Sequence, residues 1–172
     1  MLQRPPGFAF DGQTALAATG GHLRVDSPRW TSELCTDSRK LAAGDLFVAL
    51  PGEKFDGADF IAAALAAGAV GIVAETGKTA AFVDAARAAG AWLLEVDDAL
   101  LQLGELARHH RLRFNPLVVG ITGSNGKTTT KELTALALSP MGEVLWTAGN
   151  FNNRIGLPLT LLLSLCSHLC SS

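Results

Sequence analysis

The chain has 172 residues, 48% hydrophobic, 17% charged and 6% aromatic, with 18 Gly and 7 Pro. Apolar content at that level excludes wholesale disorder, and collagen-like and coiled-coil compositions fail as well, so one or two small globular domains fit. With 14 basic against 16 acidic side chains the formal net charge is −2; there is no global field for holding a nucleic acid, and any phosphate recognition must be local.

The opening MLQRPPGFAF carries an arginine and then two prolines, with no apolar stretch of the kind a secretory leader needs. Asp11 predicts the cap of a helix to about Ala18, stopped by Gly20-Gly21 before an extended piece at His22 to Val25. Between Thr36 and Ile61 the pattern gives a loop, a buried strand at Asp45 to Leu50, a turn at Pro51-Gly52, and a second loop ending at Asp56-Gly57. A helix follows over Ala58 to Ala67, closed by Gly68. Next come a strand at Gly71 to Ala74, a helix at Thr79 to Ala89, a strand at Ala91 to Val96, and a helix capped by Asp97 or Asp98 that reaches about Arg113. Strands alternating with helices predict an α/β layer.

Near the end of that helix, His109 and His110 beside Arg108 and Arg111 read as cations complementing the helix dipole. Trp30, Trp92 and Trp146 read as core fillers. Pro116 disfavours helical geometry at Asn115, which places a domain boundary there and divides the chain into 1–114 and 115–172.

Past the boundary, Leu117 to Thr122 reads as a continuous apolar strand, Gly123 to Gly126 as a loop, Lys127 to about Leu138 as a helix, and Val144 to Trp146 as a second strand. A strand apolar on both faces belongs between helix layers, yet few elements follow to cover it; this half is expected to be marginal or adhesive. The late apolar run from Ile155 to Leu165 is broken by Pro158 and falls short of the ~20 residues of a membrane helix, so no membrane insertion is expected. Cys35, Cys166 and Cys170 are too few for a disulfide scaffold and indicate a reducing, cytoplasmic setting. The tail Cys166-Ser167-His168-Leu169-Cys170 offers three soft ligands without the second pair that structural zinc requires, and is not read as a metal site.

The most informative stretch is Val118-Val119-Gly120-Ile121-Thr122-Gly123-Ser124-Asn125-Gly126-Lys127-Thr128-Thr129-Thr130, an apolar run entering glycines and then a helix that begins Lys-Thr. Gly123 and Gly126 let the backbone turn its N–H groups toward an anion at the positive end of a helix. Lys127 adds a point charge for the terminal phosphates, and the Thr128 hydroxyl is suited to Mg²⁺. The general phosphate-loop pattern G-x-x-x-x-G-K-[ST] wants glycine at 121; this chain has Ile121, with Gly120 one place earlier. A lysine in the first helical turn opposes the macrodipole, which favours a bound anion over a plain surface turn.

The form T-G-[ST]-N-G-K-T-T after a strand resembles the ATP loop of the Mur ligases. Two more blocks resemble the same family: Thr36-Asp37-Ser38-Arg39 with Gly44 to Leu50, Gly52, Asp56-Gly57 and Phe60-Ile61 upstream, and Thr147-Ala148-Gly149-Asn150-Phe151-Asn152-Asn153 with Gly156, Pro158, Leu159 and Thr160 downstream. The resemblance covers about residues 30 to 165. It implies a small N-terminal UDP-binding α/β domain followed by the incomplete start of a P-loop ATP-binding domain. The downstream block is most similar to the branch that adds D-alanyl-D-alanine to UDP-N-acetylmuramoyl tripeptide, an ATP-dependent acid–amino-acid ligation of peptidoglycan precursor synthesis.

By that resemblance, ATP phosphorylates the terminal carboxylate of the tripeptide, and the amine of D-Ala-D-Ala attacks the acyl phosphate. Gly123, Ser124, Asn125, Gly126 and Thr129 would line the phosphates, Lys127 and Thr128 would act on the migrating phosphoryl group and Mg²⁺, and Ser38, Arg39, Asn150, Asn152 and Asn153 would serve the UDP-linked substrate. The long form is expected to be monomeric, with small-molecule substrates and no nucleic acid partner. The chain is far shorter than such ligases and its tail does not resemble their continuation, so the resemblance implies a truncated or frameshifted form that does not turn over alone. Two other readings stay open: a stand-alone UDP-sugar-peptide binding module, and an unrelated P-loop phosphotransferase or GTPase, although no guanine-reading N-K-x-D segment occurs. Surface ion pairing of Arg39 with Asp37 or Asp45 and an ordinary Asn-rich turn are the structural alternatives for the two substrate blocks.

Overall fold

A computed structural model describes residues 9–52, 54–114, 116–142, 144–147 and 153–168, with backbone alone for 163–168. Helix α1 (Gly12–Thr19) starts where the Asp11 carboxylate accepts from the Thr14 amide at 2.8 Å, and it ends at Gly20 in the left-handed region. Strand β1 (His22–Val25) follows, then two strands, β2 (Leu34–Cys35) and β3 (Leu46–Val48). A 3-10 turn at Gly57–Phe60, capped by Asp56, runs into α2 (Ile61–Ala66). Strand β4 (Gly71–Glu75), a second 3-10 turn and α3 (Val83–Ala89), strand β5 (Trp92–Val96) and the long α4 (Ala99–Phe114) complete the first part. Of the two candidate caps for α4, Asp98 does the work, accepting from the Leu101 amide at 2.8 Å.

The five strands form one sheet in the order β1-β5-β4-β3-β2, parallel except for β1, which runs antiparallel to β5. The parallel strands are short and apolar because both faces are covered. One face packs Phe10, Ala15, Leu46, Val73, Trp92 and Leu103 among others; the opposite face packs Phe47, Ile61, Ala64, Ile72, Ala86 and Leu93. The expected α/β layer is present, and β2 is a strand the sequence pattern did not reveal.

Beyond Pro116 the structure departs from expectation. Residues 117–122 form no strand, and Leu117, Val118 and Val119 are exposed, Leu117 by 86%. Residues 144–146 are likewise not a strand. An apolar run becomes a strand only where a neighbour takes its backbone N–H and C=O groups, and neither segment meets a partner among the described residues. Helix α5 (Lys127–Leu138) forms with the bounds expected for it.

The apolar run broken by Pro158 is in fact helix α6 (Gly156–His168). Pro158 is its third residue, in the first turn, where a missing N–H costs no intrahelical bond. Helix α6 packs on α4, and Leu162 is fully buried in the sheet's first core cluster. Two further expectations fail: Trp146 is 53% exposed rather than a core residue, and His110 is not a solvated helix-end cation but is fully buried, with its ring 5.0 Å from that of Phe114. Trp92 does fill the core, and Trp30 is half-buried.

Candidate functional site

The phosphate-loop residues form an exposed turn at the N-terminus of α5. Gly123 (φ 149°) and Gly126 (φ 77°) both occupy positive-φ conformations that side chains with a Cβ rarely adopt, and Gly126 is the residue from which the helix departs. The Gly126 carbonyl already accepts from the Thr130 amide at 2.9 Å, so the first helical bond is closed while the preceding N–H groups lie at the positive end of the helix. Lys127 is the first residue of α5. Its ammonium bends back over the loop, donating to the Gly123 carbonyl at 2.5 Å and the Ser124 carbonyl at 3.3 Å. An ammonium has three donors; two are on the loop's own carbonyls, and the charge sits over the turn. Ser124, Asn125, Thr128 and Thr129 are exposed around it. This residue set fits a phosphate anion by charge, by backbone conformation and by hydroxyl supply.

The second sequence block lies elsewhere in the fold. Asp37, Ser38 and Arg39 directly follow the carboxyl end of β2, the edge of a parallel sheet where open α/β folds place ligands. The Arg39 guanidinium grips Asp37 in a fork, Nε to Oδ1 at 2.8 Å and Nη2 to Oδ2 at 2.7 Å. That hydrogen bonding pulls the Asp37 carboxyl down to about 2. Cys35, the last residue of β2, donates its thiol to the Asp37 carbonyl at 3.0 Å, and burial raises that thiol above its ordinary range. Of the two alternatives for Arg39, the pair with Asp37 is the one formed; the Asp45 carboxylate instead accepts from the Ala42 amide.

The same sheet edge carries Lys78, which the sequence reading did not single out. Its ammonium reaches Asp56 at 2.6 Å and Glu75 at 2.9 Å, tying the loop after β3 to the end of β4. A single lysine three residues after a strand has no spacing signature by which to be found. Nearby, Glu95 of β5 is buried with the Thr79 hydroxyl and Arg24 as partners. Burial raises this carboxyl, but the Thr79 hydroxyl, Arg24 and the Gly77 amide prevail and hold it below its ordinary range.

In the third block Asn150 and Asn152 lie outside the described residues. Asn153 is described: its side-chain oxygen accepts from the Ile155 amide at 3.1 Å and the Gly156 amide at 2.6 Å, seeding α6. Among the described residues no helix is long and apolar enough to cross a membrane, and no group of three or more His, Cys, Asp or Glu is arranged to hold a metal ion.

Residues 31–111 match the model of the Mur ligase family catalytic domain, and residues 121–166 match that of the Mur ligase middle domain. A UDP-N-acetylmuramoyl-tripeptide–D-alanyl-D-alanine ligase of Synechocystis is 47% identical over 136 residues, covering 76% of this chain and 28% of that relative. A crystal structure of MurF from Acinetobacter baumannii matches with a TM-score of 0.79 and 34% identity, covering 92% of this chain and 34% of its own. The MurF ligase of Thermotoga maritima, solved in complex with ADP, matches with a TM-score of 0.66 and 39% identity over 77% of this chain and 29% of its own. The chain thus spans under a third of the length of the curated relatives it matches.

Proposed function

Because this chain belongs to the Mur ligase family, we propose that it carries the UDP-substrate domain, residues 1–114, and the opening of the ATP domain, residues 115–172, of an ATP-dependent ligase. The reaction is the joining of D-alanyl-D-alanine to UDP-N-acetylmuramoyl tripeptide in the cytoplasm, in the synthesis of peptidoglycan precursor by a monomeric enzyme. The D-alanyl-D-alanine assignment is supported by the names of relatives 40–47% identical to this chain.

The observation that carries the reading is the turn from Gly123 to Thr128, with its two positive-φ glycines and a lysine ammonium folded over it. Main-chain amides of Gly123, Ser124, Asn125 and Gly126 hold the phosphates, and Thr129 flanks them on α5. Lys127 moves its ammonium from the Gly123 carbonyl to phosphate oxygens and counters the charge that develops during transfer. The Thr128 hydroxyl is the ligand this chain offers to Mg²⁺; when bound, that ion neutralises phosphate oxygens and orients them. Ser38 and Arg39 bind the UDP moiety from the sheet edge, Arg39 sharing its guanidinium between Asp37 and phosphate. Asn150, Asn152 and Asn153 serve the UDP-linked muramoyl peptide; Asn153 has its amide N–H₂ for this, its oxygen being engaged at the start of α6.

The test is calorimetric titration of the chain with Mg-ATP and, separately, with UDP-N-acetylmuramoyl tripeptide. Both are expected to bind, and Lys127→Ala is expected to remove the ATP signal while sparing the other. Binding of the UDP compound alone would favour a stand-alone binding module. ATP binding without any response to the muramoyl compound would favour an unrelated phosphotransferase.

A further inference from the structure

Phe55, in the loop after β3, is 70% exposed, yet the chain that carries it is closely tied. Pro51 and Asp56 form an antiparallel bridge, and the Gly57 amide donates to the Leu50 carbonyl at 3.0 Å. A Cβ at Gly52 would lie 2.7 Å from the Phe55 carbonyl oxygen, and one at Gly57 would lie 2.6 Å from the Leu50 nitrogen. Asp56 uses both carboxylate oxygens: Oδ1 accepts from the Ala58 amide at 3.0 Å and Oδ2 from the Lys78 ammonium at 2.6 Å. A slack loop would fold such a ring inward and gain its burial; this one holds the ring out in water, which suits a contact with something else.

The ring of Phe60 lies 6.5 Å from that of Phe55 and inclined by 70°, so the two make an open corner with one face and one edge on offer. Strands β2 and β3 are parallel neighbours, and the loops carrying Arg39 and Phe55 therefore leave the same edge of the sheet. Lys78 is held by Asp56 and Glu75 together, two carboxylates to one ammonium, so this cluster does not gather phosphate; it fixes the residue next to Phe55. A ligand spanning this edge has an uncharged flat end at Phe55 and an anionic end at Arg39, which is the chemistry of a pyrimidine nucleoside diphosphate.

We propose that the exposed ring of Phe55, held in place by Lys78 through Asp56, is the platform on which the uracil ring of the UDP-linked substrate stacks. The inference deepens the UDP-substrate reading above and rests on it. Phe55 touches the base; Lys78 is a positioning residue that acts through Asp56.

The experiment titrates the whole chain with UDP by calorimetry and follows the uracil H5 and H6 protons by NMR. On binding to the wild-type chain both protons are expected to move upfield in the ring current of Phe55. Phe55→Ala should weaken UDP by about tenfold, within the range of base–aromatic stacking, and abolish the upfield movement. Phe55→Leu, apolar but without a π face, should lose the movement as well, and Phe55→Trp should keep it. Lys78→Met should diminish both affinity and movement, with Lys78→Arg restoring them. Wild-type affinity in Phe55→Ala, or UDP bound to the wild-type chain without upfield movement, overturns the inference while the UDP reading stands; Lys78→Met indistinguishable from wild type removes Lys78 from it. The same losses are expected in a Lys127→Ala background, and losses that vanish there would put the UDP on the phosphate loop and overturn the inference. Absence of any UDP binding to the wild-type chain brings down the reading and the inference together.

Discussion

A methyl group placed on Gly71 would lie 2.2 Å from Cζ2 of Trp92, its register partner on the neighbouring parallel strand. The indole covers the glycine so closely that no side chain fits between β4 and β5. Trp92 is fully buried and has no room to retreat. Gly71→Ala is therefore expected to destabilise the first part by ~3 kcal/mol, the upper range for overpacking a close-packed site. Urea unfolding followed by Trp fluorescence checks this; an unchanged midpoint would mean the sheet can open at that point.

Gly126 leaves the loop with φ 77° and has open space around the position of a Cβ. Gly126→Ala meets no clash, so its cost is conformational alone, ~1 kcal/mol. Nucleotide affinity should fall by about fivefold if that energy is needed to hold the loop in its binding form. Titration with Mg-ATP measures it, and equal affinity would show that the left-handed turn is dispensable.

Asp37 titrates at about 2 rather than its ordinary 3.8, chiefly because Arg39 donates to it. A carboxyl whose folded value is depressed adds stability that is present above the unfolded value and is lost as pH falls through the folded one. The window is thus the interval from 3.8 down to about 2. The pair is solvent-exposed, so the effect on global stability should be slight, and the direct readout is the Asp37 carboxyl ¹³C titration. In Arg39→Ala that titration is expected to move up toward the ordinary value, and an unmoved curve would contradict the fork seen here.

Among the described residues of α6, Leu162 is the fully buried core residue, with Leu159 and Leu161 packed against the same cluster. Leu162→Ala should cost 2–5 kcal/mol by transfer and cavity terms if α6 is integral to the fold. Amide hydrogen exchange should then speed up along residues 156–168 before it does in β4 and β5. A loss near zero would mean that α6 is only laid against the surface.

Much of the fold was legible where local chemistry decides it. Asp11 and Asp98 cap helices, Gly20 ends one in the left-handed region, and the bounds of α5 follow from a glycine before it and an amphipathic run through it. What depended on partners was not legible. Strand β2 has two residues, and its pairing with Leu46 and Phe47 is a long-range relation that periodicity does not encode. Residues 117–122 have strand composition but meet no neighbour to pair with among the described residues, so composition alone overstates them. Pro158 looked like a breaker because its position within the helix could not be counted until the helix start at Gly156 was known. His110 looked exposed because nothing local shows that its side of α4 meets the core. For the site, the loop glycines and Lys127 were readable from spacing, whereas the Asp37–Arg39 fork and the Lys78 ties required three dimensions.

Helix α6 returns to lie against α4, so the helices on either side of the phosphate turn's half of the chain belong to one scaffold. Both ends of that stretch are moored. Docking α6 on α4 closes the intervening chain into a tethered loop, so the closure entropy of that loop is met by the apolar contacts of α6 and not by the phosphate turn itself.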